Sequence, residues 1–286
     1  MNDQSRDGAS GRVGQVKEVT SLANPIIKDI KALSQKKARD ESRSFIAEGL
    51  KLVIDALDLG WTIRTLIYAK TAKEKPAVQQ AAARAVARGA LVLEVSEKVL
   101  VSLTRRDNPQ SVVGVFEQRF LPLAACRPKL EETYVALDRV RDPGNLGTII
   151  RTADAAGAAG VILVGETTDP YALETVRATM GSVFAVPVAR ATAAEFVAWH
   201  RATRAQVVAT HLAGAKDYRE IDYRGHPVVL LMGNEQAGLP DDLAADADAL
   251  ARIPQAGRAD SLNLAIATGL MLFEARRHLL TLERRR

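Results

Sequence analysis

Three segments in the second half of the chain place polar side chains, glycine and proline where apolar runs end, a pattern suited to ligand binding or catalysis. The first runs from Asp138 through Pro143-Gly144 to Asn145, and Arg151 follows six residues later. It predicts a strand end, a turn and a helix start, which together form a ligand crevice at the carboxyl edge of a parallel sheet. The first helical N–H groups there can bind an anion. An ordinary strand-to-helix connection, with Arg151 in a surface ion pair, fits the pattern equally well.

The second segment joins an apolar run at 228–232 directly to the pattern G-x-E-x-x-G, formed by Gly233, Glu235 and Gly238. Gly233 allows the backbone to approach a ligand closely, and Gly238 suits a tight turn. Glu235 stands just outside an apolar strand, so its carboxylate needs a partner, either a structural cation or a substrate group. A capped helix start is the alternative interpretation.

The third segment has Ile253-Pro254 followed by Ser261-Leu262-Asn263, and a long helix is predicted from about 261 to 280. Asp260 or Ser261 is the expected N-cap of that helix. Ser261 and Asn263 would then lie in its first turn, where they can offer a hydroxyl and an amide to a neighbouring site. A cap explains Ser261 but leaves Asn263 unexplained.

Several common site types are not supported by the sequence. It has no G-x-x-x-x-G-K-[ST] phosphate loop, and no G-x-G-x-x-G follows the first strand of either half. The 4 histidines are scattered without nucleophile partners at motif spacing, so a hydrolytic triad is not indicated. The one cysteine, Cys126, cannot form an internal disulfide, and the Cys/His spacings of zinc sites are missing. We therefore expect no metal.

The elements that must position these segments alternate regularly along the chain. In the second half, predicted strands at 134–137, 161–164, 186–189, 207–210 and 228–232 alternate with helices from 145 and 172 and at 193–204 and 261–280. Several of the strands are continuous apolar runs, which is typical of a parallel sheet covered on both faces. The first half has a similar pattern: helices at 25–39, 49–59, 76–88 and from 97, with strands at 45–47, 63–69, 91–95 and 111–117. Both halves are thus predicted to be α/β domains.

The expected organisation is a flexible leader at 1–20, a first domain at 21–119, a linker at 120–132 and a second domain at 133–286. The linker is placed where prolines occur and no periodicity is visible. No run of about 18 apolar residues is present, and the N-terminus lacks a signal-peptide core, so we expect a cytoplasmic protein with no membrane span.

The net charge of +5 favours a polyanionic partner, since neutralising phosphates releases counterions. Many basic globular proteins bind no nucleic acid, so the clustering of basic residues carries more weight than their total. One cluster lies in the first half: Lys28, Lys31, Lys36, Lys37, Arg39 and Arg43. A second, formed by Arg105 and Arg106, stands beside a turn signal.

Taken together and in this order, the three segments resemble the signature of the SpoU/TrmH-type RNA 2′-O-ribose methyltransferases of the SPOUT superfamily. The first motif of that family, N-x-x-x-x-x-R, matches Asn145 and Arg151, and the second matches the G-x-E-x-x-G segment. The third, I-P followed by S-L-N, matches Ile253, Pro254, Ser261, Leu262 and Asn263. In the first half, residues 21–28 and 45–49 resemble the opening phrases of the substrate-binding domain of the rRNA branch, a ribosomal-protein-like α/β fold that binds structured RNA.

The resemblance implies a trefoil-knotted C-terminal domain that binds S-adenosylmethionine in its knot loops. It also implies a homodimer, with the last helix and the helix of the first motif near the partner subunit. The implied cofactor-binding residues are Thr210, Leu231, Met232, Gly233, Ile253 and Leu262. The implied catalytic residues are Asn145, Arg151, Glu235, Ser261 and Asn263.

A ribose 2′-OH is a poor nucleophile, so such an enzyme must help to remove its proton and align it with the methyl group. The family proposal makes Arg151 the base, although a guanidinium normally stays protonated in proteins. An electrostatic role is equally good: Arg151 would bind a neighbouring phosphate and stabilise the developing alkoxide. Glu235 would orient Arg151 or Asn145, and Ser261 and Asn263 would position the nucleotide.

The extra N-terminal domain favours 23S rRNA over tRNA as the substrate. Three alternatives stay open from the sequence: a tRNA ribose methyltransferase of the same family, a base-modifying relative in the superfamily, and a non-catalytic RNA-binding or ribosome-assembly protein. The four side chains Asn145, Arg151, Glu235 and Asn263 argue for an active enzyme.

Overall fold

The computed structural model describes residues 14–106, 108–211, 216–258 and 261–282. The chain divides into two compact units, with the boundary between Gln118 and Arg119. Each unit contains one sheet with helices packed on it. No helix among the described residues is long and apolar enough to cross a membrane.

The first unit has a 5-stranded sheet in the order β1-β4-β3-β5-β2, of which β1, β4 and β3 run parallel and β5 runs antiparallel to β3 and β2. Its strands are β1 (Gln15–Val19), β2 (Ser44–Glu48), β3 (Ile63–Ala69), β4 (Leu91–Val95) and β5 (Val112–Glu117). Its helices are α1 (Pro25–Ala32), α2 (Lys36–Ser42), α3 (Leu50–Asp58), α4 (Pro76–Ala87) and α5 (Glu97–Thr104).

Two expectations for this unit were wrong. The flexible leader at 1–20 is contradicted for Gln15–Val19, which form β1 and pair with β4; residues 1–13 lie outside the described part. The pairing satisfies backbone groups of β4 that would otherwise form an open sheet edge, a tertiary contact that local sequence does not reveal. The single helix predicted at 25–39 is two helices, and the buried Arg39 donates from Nη1 to the carbonyl oxygen of Leu33 (2.9 Å) in the turn between them.

The second unit has a 7-stranded, fully parallel sheet in the order β10-β12-β9-β11-β6-β7-β8. Its strands are β6 (Thr133–Asp138), β7 (Gly160–Val164), β8 (Val188–Ala191), β9 (Gln206–Thr210), β10 (Lys216–Asp217), β11 (Val228–Met232) and β12 (Ala249–Arg252). Its helices are α6 (Pro143–Ala156), α7 (Leu173–Thr179), α8 (Ala193–Thr203), α9 (Asp241–Ala245) and α10 (Leu264–Ala275). Both faces of the sheet are covered by apolar clusters, which explains the continuous apolar runs of its strands.

The register of the central strands positions the site. β11 pairs with β6 so that Met232 stands opposite Leu137. The loops that leave these two strands therefore start side by side at the carboxyl edge of the sheet, and β9 ends beside them. This is the edge at which open α/β sheets bind ligands.

The expected linker at 120–132 packs onto the second unit. Leu121 forms a parallel bridge with Ala189, and the buried Cys126 accepts a hydrogen bond at its carbonyl oxygen from Trp199 Nε1 (2.7 Å). Burial of apolar side chains, which a periodicity search cannot detect in so short a stretch, holds this segment in place. The short strands β10 and β12 and the helix α9 were not predicted, and the strand expected at 186–189 begins two residues later, at Val188.

Candidate active site

The loop between β6 and α6 places Asn145 in the first helical turn. Asp142 is the N-cap of α6, and its Oδ1 accepts a hydrogen bond from the backbone N–H of Asn145 (2.6 Å). Gly147 allows α6 to lie against α7, because a Cβ at this position would stand 2.4 Å from the Cβ of Ala178. These two features fix the position and direction in which α6 presents Asn145.

The loop after β11 is a tight turn rather than the start of a helix. Asn234 and Gly238 exchange two backbone hydrogen bonds of 3.0 Å, and Gly238 has a φ of +65°, in the left-handed region that favours glycine. A Cβ on Gly233 would lie 2.5 Å from the backbone nitrogen of Leu239, so only glycine lets the chain fold back so closely. The alternative of a capped helix start is wrong, since α9 begins at Asp241.

Asn234, which sequence reasoning missed, ties the loop after β11 to the loop after β6. Its Nδ2 donates to the carbonyl oxygen of Arg139 (2.7 Å), and its Oδ1 accepts from the backbone N–H groups of Gln236 (2.9 Å) and Ala237 (3.1 Å). The residue is 9% exposed, and a buried amide needs such partners. A polar residue between the glycine and the glutamate of the second motif was the available signal.

The side chain of Asn263 caps α10 with its oxygen and contacts Asn145 with its nitrogen, two roles that the sequence pattern did not distinguish. Its Oδ1 caps α10 by accepting from the backbone N–H groups of Ala265 (2.9 Å) and Ile266 (3.3 Å). Ser261 is therefore not the cap, and Asp260 lies outside the described residues. The helix spans Leu264–Ala275, shorter than the predicted 261–280, because it can begin only after its cap.

The amide of Asn145 joins the three segments. Nδ2 of Asn263 donates to Oδ1 of Asn145 (2.9 Å), across 118 positions of sequence. Nδ2 of Asn145 in turn donates to Oε1 of Glu235 (3.1 Å). The expected cation or substrate partner of Glu235 is thus replaced by an amide, and its carboxylate is exposed, so solvation does not force a charged partner on it. Both hydrogen bonds are compatible with only one orientation of the Asn145 amide, so the direction of its oxygen and nitrogen is fixed.

These side chains line a cleft of about 470 Å³, termed the polar cleft. Four of the five predicted catalytic residues meet there: Asn145, Glu235, Ser261 and Asn263. The rest of its lining consists of Arg141, Asp142, Asn234, Gln236, Leu262 and Leu264.

A second cleft of about 370 Å³, termed the cofactor cleft, shares part of this lining. Five of the six predicted cofactor-binding residues line it: Thr210, Met232, Gly233, Ile253 and Leu262. The side chain of Leu231 does not, because successive strand residues point to opposite faces and Leu231, 1% exposed, packs in the core on the other side of the sheet. Further lining that the sequence did not indicate includes His211, Arg252, Gln255 and Ala267.

The structure does not bring Arg151 into either cleft. Its side chain is exposed on α6 and makes no hydrogen bond or ion pair with any residue of the described ranges. Six residues along an α-helix correspond to a rotation of about 240°, so Arg151 and Asn145 lie on different faces of α6. The neighbouring Thr152 faces α10, since a Cβ on Gly269 would lie 3.6 Å from its Cγ2.

The charged pair at the end of β6 supports the loop that carries Asn145. Burial raises the pKa of Asp138, and the hydrogen bond from Arg139 Nε (2.8 Å) partly opposes that rise. Arg139 itself has a φ of +48°, a conformation that turns the backbone sharply out of the strand. In the part of the chain that the structure describes, no group of three or more His, Cys, Asp or Glu side chains could hold a metal ion.

A third cleft, of about 500 Å³, is larger than the polar cleft and the cofactor cleft, but the contacts around it serve to hold elements of the fold together. It opens near the start of β9, and three of its lining side chains, those of His200, Arg201 and Asp248, make contacts that hold neighbouring elements together. Asp246 lies 2.7 Å from Nε2 of His200 and also binds Arg201, while Asp248 accepts from the backbone N–H of Val207 (2.7 Å). These contacts attach α8 to the loop before β12.

Comparisons with known proteins match both units of the chain. The model of the SpoU rRNA Methylase family matches residues 132–273, and that of the MRM3-like substrate binding domain matches residues 24–114. The chain is similar to the 23S rRNA (guanosine(2553)-2′-O)-methyltransferase RlmP of Bacillus subtilis, at 32% identity over 261 residues, covering 91% of this chain and 100% of that protein. It is also similar to the 23S rRNA (uridine(2479)-2′-O)-methyltransferase of Streptomyces viridochromogenes, at 33% identity over 254 residues, covering 85% of this chain and 86% of that protein.

Among solved structures, the fold matches an AdoMet-bound rRNA methyltransferase from Sinorhizobium meliloti with a TM-score of 0.90 and 74% sequence identity. The match covers 93% of this chain and 99% of that chain. The similarity therefore extends over both units and both clefts.

Proposed function

The chain belongs to the SpoU rRNA methylase family, and we propose on that basis that it transfers the methyl group of S-adenosylmethionine to a ribose 2′-oxygen of 23S rRNA. The observation that carries the proposal is the chain of hydrogen bonds from Asn263 through Asn145 to Glu235. It unites the three sequence motifs at one cleft, directly beside a second cleft of a different character. A site for a nucleotide next to a site for a cofactor is the arrangement that group transfer needs.

The cofactor cleft fits an adenosine-containing ligand. Its volume lies within the range of small-molecule sites, and much of its lining is apolar or backbone, which suits an adenine ring. Thr210, Met232, Gly233, Ile253 and Leu262 would hold the cofactor, and Leu231 would support the strand behind them. When bound, S-adenosylmethionine would supply a methyl group on a sulfonium centre, from which the neutral thioether is a good leaving group.

Residues of the polar cleft would position the ribose. The Asn145 amide is held on both sides, so its remaining N–H and lone pair point in fixed directions without further loss of entropy on binding. Ser261 is exposed at the same cleft and offers a hydroxyl that can donate or accept. The proposed roles are therefore orientation of the 2′-OH by Asn145, with Glu235 and Asn263 holding Asn145 and Ser261 contacting the nucleotide.

Arg151 would complete the site from a second copy of the chain. The helix α10, which packs on α6, exposes Ile266 (57%), Leu270 (40%) and Phe273 (46%), spaced four and three residues apart on one face. Such an apolar stripe is typical of a surface that another protein covers. We propose a homodimer that buries this stripe and brings Arg151 of one protomer to the polar cleft of its partner.

Arg151 would act through its charge. A guanidinium stays protonated, so it stabilises the developing alkoxide electrostatically, and a phosphate oxygen or water accepts the proton. The lack of a partner for Arg151 among the described residues of its own chain supports this role, since the side chain is available to a ligand.

The proposal also includes a knot, an RNA-binding domain and a cytoplasmic location, which the family resemblance implies. We propose a trefoil knot in the second unit, which is supported by the shared cleft of the loops after β9, β11 and β12. The first unit would be the ribosomal-protein-like domain that binds structured rRNA, in line with its match to a substrate binding domain. The RNA-binding domain would end at about residue 118, and the methyltransferase domain would follow it. The enzyme would act on ribosomal RNA in the cytoplasm.

The experiment that tests the proposal is methyl transfer from labelled S-adenosylmethionine to total RNA from a strain without this protein, followed by separation of 23S rRNA, 16S rRNA and tRNA. Label in 23S rRNA is expected. Label in tRNA alone would favour a tRNA ribose methyltransferase of the same family. RNA binding with neither label nor cofactor binding would favour a non-catalytic RNA-binding protein.

A further inference from the structure

The polar cleft contains three charged side chains: Arg141, Asp142 and Glu235. Both carboxylates already have partners, because Asp142 accepts from the backbone of Asn145 and Glu235 accepts from its side chain. Arg141 is exposed and forms neither a hydrogen bond nor an ion pair with any described residue. It is therefore the charged group of this cleft that is available to a ligand.

A cleft with two carboxylates repels a polyanion unless a cation balances them. Arg151 does not provide that cation within one chain, since it lies outside both clefts. Arg141 is suited to the task because its planar guanidinium can donate two parallel hydrogen bonds to a phosphate. Its position one residue before the N-cap of α6 also places it beside the turn that presents Asn145.

We propose that Arg141 binds the phosphodiester next to the target ribose and so positions the 2′-OH against the Asn145 amide. The inference rests on the proposed function and adds a residue to it. Arg141 binds the substrate in the polar cleft of its own chain. Arg151 has a different role, since it stabilises the developing ribose alkoxide. The contact is made to the RNA backbone, so it is independent of the base that is modified.

The competing ligand is another anion, the carboxylate of the methionine part of the cofactor. The two clefts share lining residues, so a side chain at this position could reach either anion. Separate measurements of RNA binding and cofactor binding distinguish the RNA phosphate from the cofactor carboxylate as the ligand of Arg141.

The test compares the wild type with Arg141→Ala, Arg141→Lys and the control Arg127→Ala. Arg127 is likewise exposed and without a partner among the residues described, but it precedes β6, at the opposite end of that strand from the loop that carries Arg141, and it lines neither cleft. Binding to an unmodified 23S rRNA transcript is measured by filter binding with S-adenosylhomocysteine present, and S-adenosylmethionine binding by calorimetry. The KM for RNA and kcat are measured in the transfer assay.

Arg141→Ala should weaken RNA binding and raise KM roughly tenfold, as expected when a charge-assisted hydrogen bond to phosphate is lost at an exposed site. The slope of log affinity against log salt should fall by about one phosphate contact. The value of kcat should also fall, because the 2′-OH is then less well positioned, whereas the affinity for S-adenosylmethionine should stay near that of the wild type. Arg141→Lys should recover part of the loss.

Unchanged RNA binding in Arg141→Ala would overturn the inference, and so would an equal loss in Arg127→Ala. A selective loss of S-adenosylmethionine affinity would assign Arg141 to the cofactor instead. If the wild type transfers no methyl group, the proposed function fails, yet the filter-binding comparison still decides whether Arg141 contacts RNA.

Discussion

Replacement of Asn234 by alanine probes the contact that ties the cofactor loop to the loop carrying Asn145. The side chain makes three hydrogen bonds, one to the carbonyl oxygen of Arg139 and two from the backbone of its own loop. At a net value of about 0.5–1.5 kcal/mol for each, Asn234→Ala should lower the free energy of unfolding of the second unit by about 1.5–4.5 kcal/mol. The affinity for S-adenosylmethionine should fall by at least about tenfold, because the binding-competent loop is less populated.

Two further variants separate the contributions. Asn234→Asp keeps the oxygen that accepts from the loop backbone but loses the N–H that donates to the carbonyl oxygen of Arg139. The loop after β11 should therefore keep most of its own stability, while the hydrogen bond between the two loops is lost. Asn24→Ala removes an N-cap in the first unit, where Oδ1 accepts from the backbone N–H of Ile26 (2.9 Å). It should cost the first unit about 1 kcal/mol, while the unfolding free energy of the second unit and cofactor binding stay unchanged.

The assay is urea unfolding followed by tryptophan fluorescence, with calorimetry for cofactor binding. The chain has 2 tryptophans, so in a Trp61→Phe background the signal comes from Trp199, which lies in the second unit. A change in unfolding free energy below about 0.5 kcal/mol in Asn234→Ala, with normal cofactor affinity, would refute the role assigned to Asn234.

Four other perturbations test the site. Arg151→Ala should lower single-turnover methyl transfer by about 100-fold or more, whereas Arg151→Lys, which keeps the charge but lacks the planar fork, should retain part of the activity; a lysine variant as inactive as the alanine variant would contradict a role through charge. Mixing inactive Arg151→Ala with inactive Asn145→Ala should restore about a quarter of the wild-type activity after random subunit exchange, because half of the dimers then hold one intact site, whereas no recovery would argue against a site shared between protomers. Asn263→Ser should keep the cap of α10 and the urea midpoint better than Asn263→Ala, while both lose methyl transfer with the amide link to Asn145; transfer by the serine variant at the wild-type rate would contradict that link. Gly233→Ala should lower the Tm and the cofactor affinity because its Cβ would meet the backbone of Leu239, whereas Gly257→Ala, whose Cβ meets nothing within 4 Å, should be neutral, and equal behaviour of the two would contradict the packing argument.

The sequence predicted the second unit well where strands are long and buried. The run at 228–232 coincides with β11, because five continuous apolar residues between Pro227 and Gly233 are too few for a buried helix and fit a strand covered on both faces. The resemblance to the SpoU/TrmH family is confirmed by the family match over residues 132–273. Short or polar elements were missed, such as β1 and β12, since their pairing depends on a neighbouring strand far along the chain.

The site itself was predicted as a set of residues but not as a geometry. The motifs correctly grouped Asn145, Glu235 and Asn263, whereas their order in the hydrogen-bond chain depends on how distant loops meet. Asn234 was missed because a polar residue between Gly233 and Glu235 does not by itself reveal that its partners are backbone groups of two different loops. The separation of Arg151 from the clefts follows from helical rotation along α6, which motif spacing alone does not express.

The central claim is tested most directly by the chemical position of the transferred methyl group. After transfer to 23S rRNA from a strain without this protein, the labelled RNA is hydrolysed with alkali, which needs a free 2′-OH to cleave the adjacent phosphodiester. Label in an alkali-resistant dinucleotide, absent when Arg151→Ala is used, is the result predicted for ribose 2′-O-methylation. Label released as a mononucleotide, which marks methylation of a base, would contradict the account.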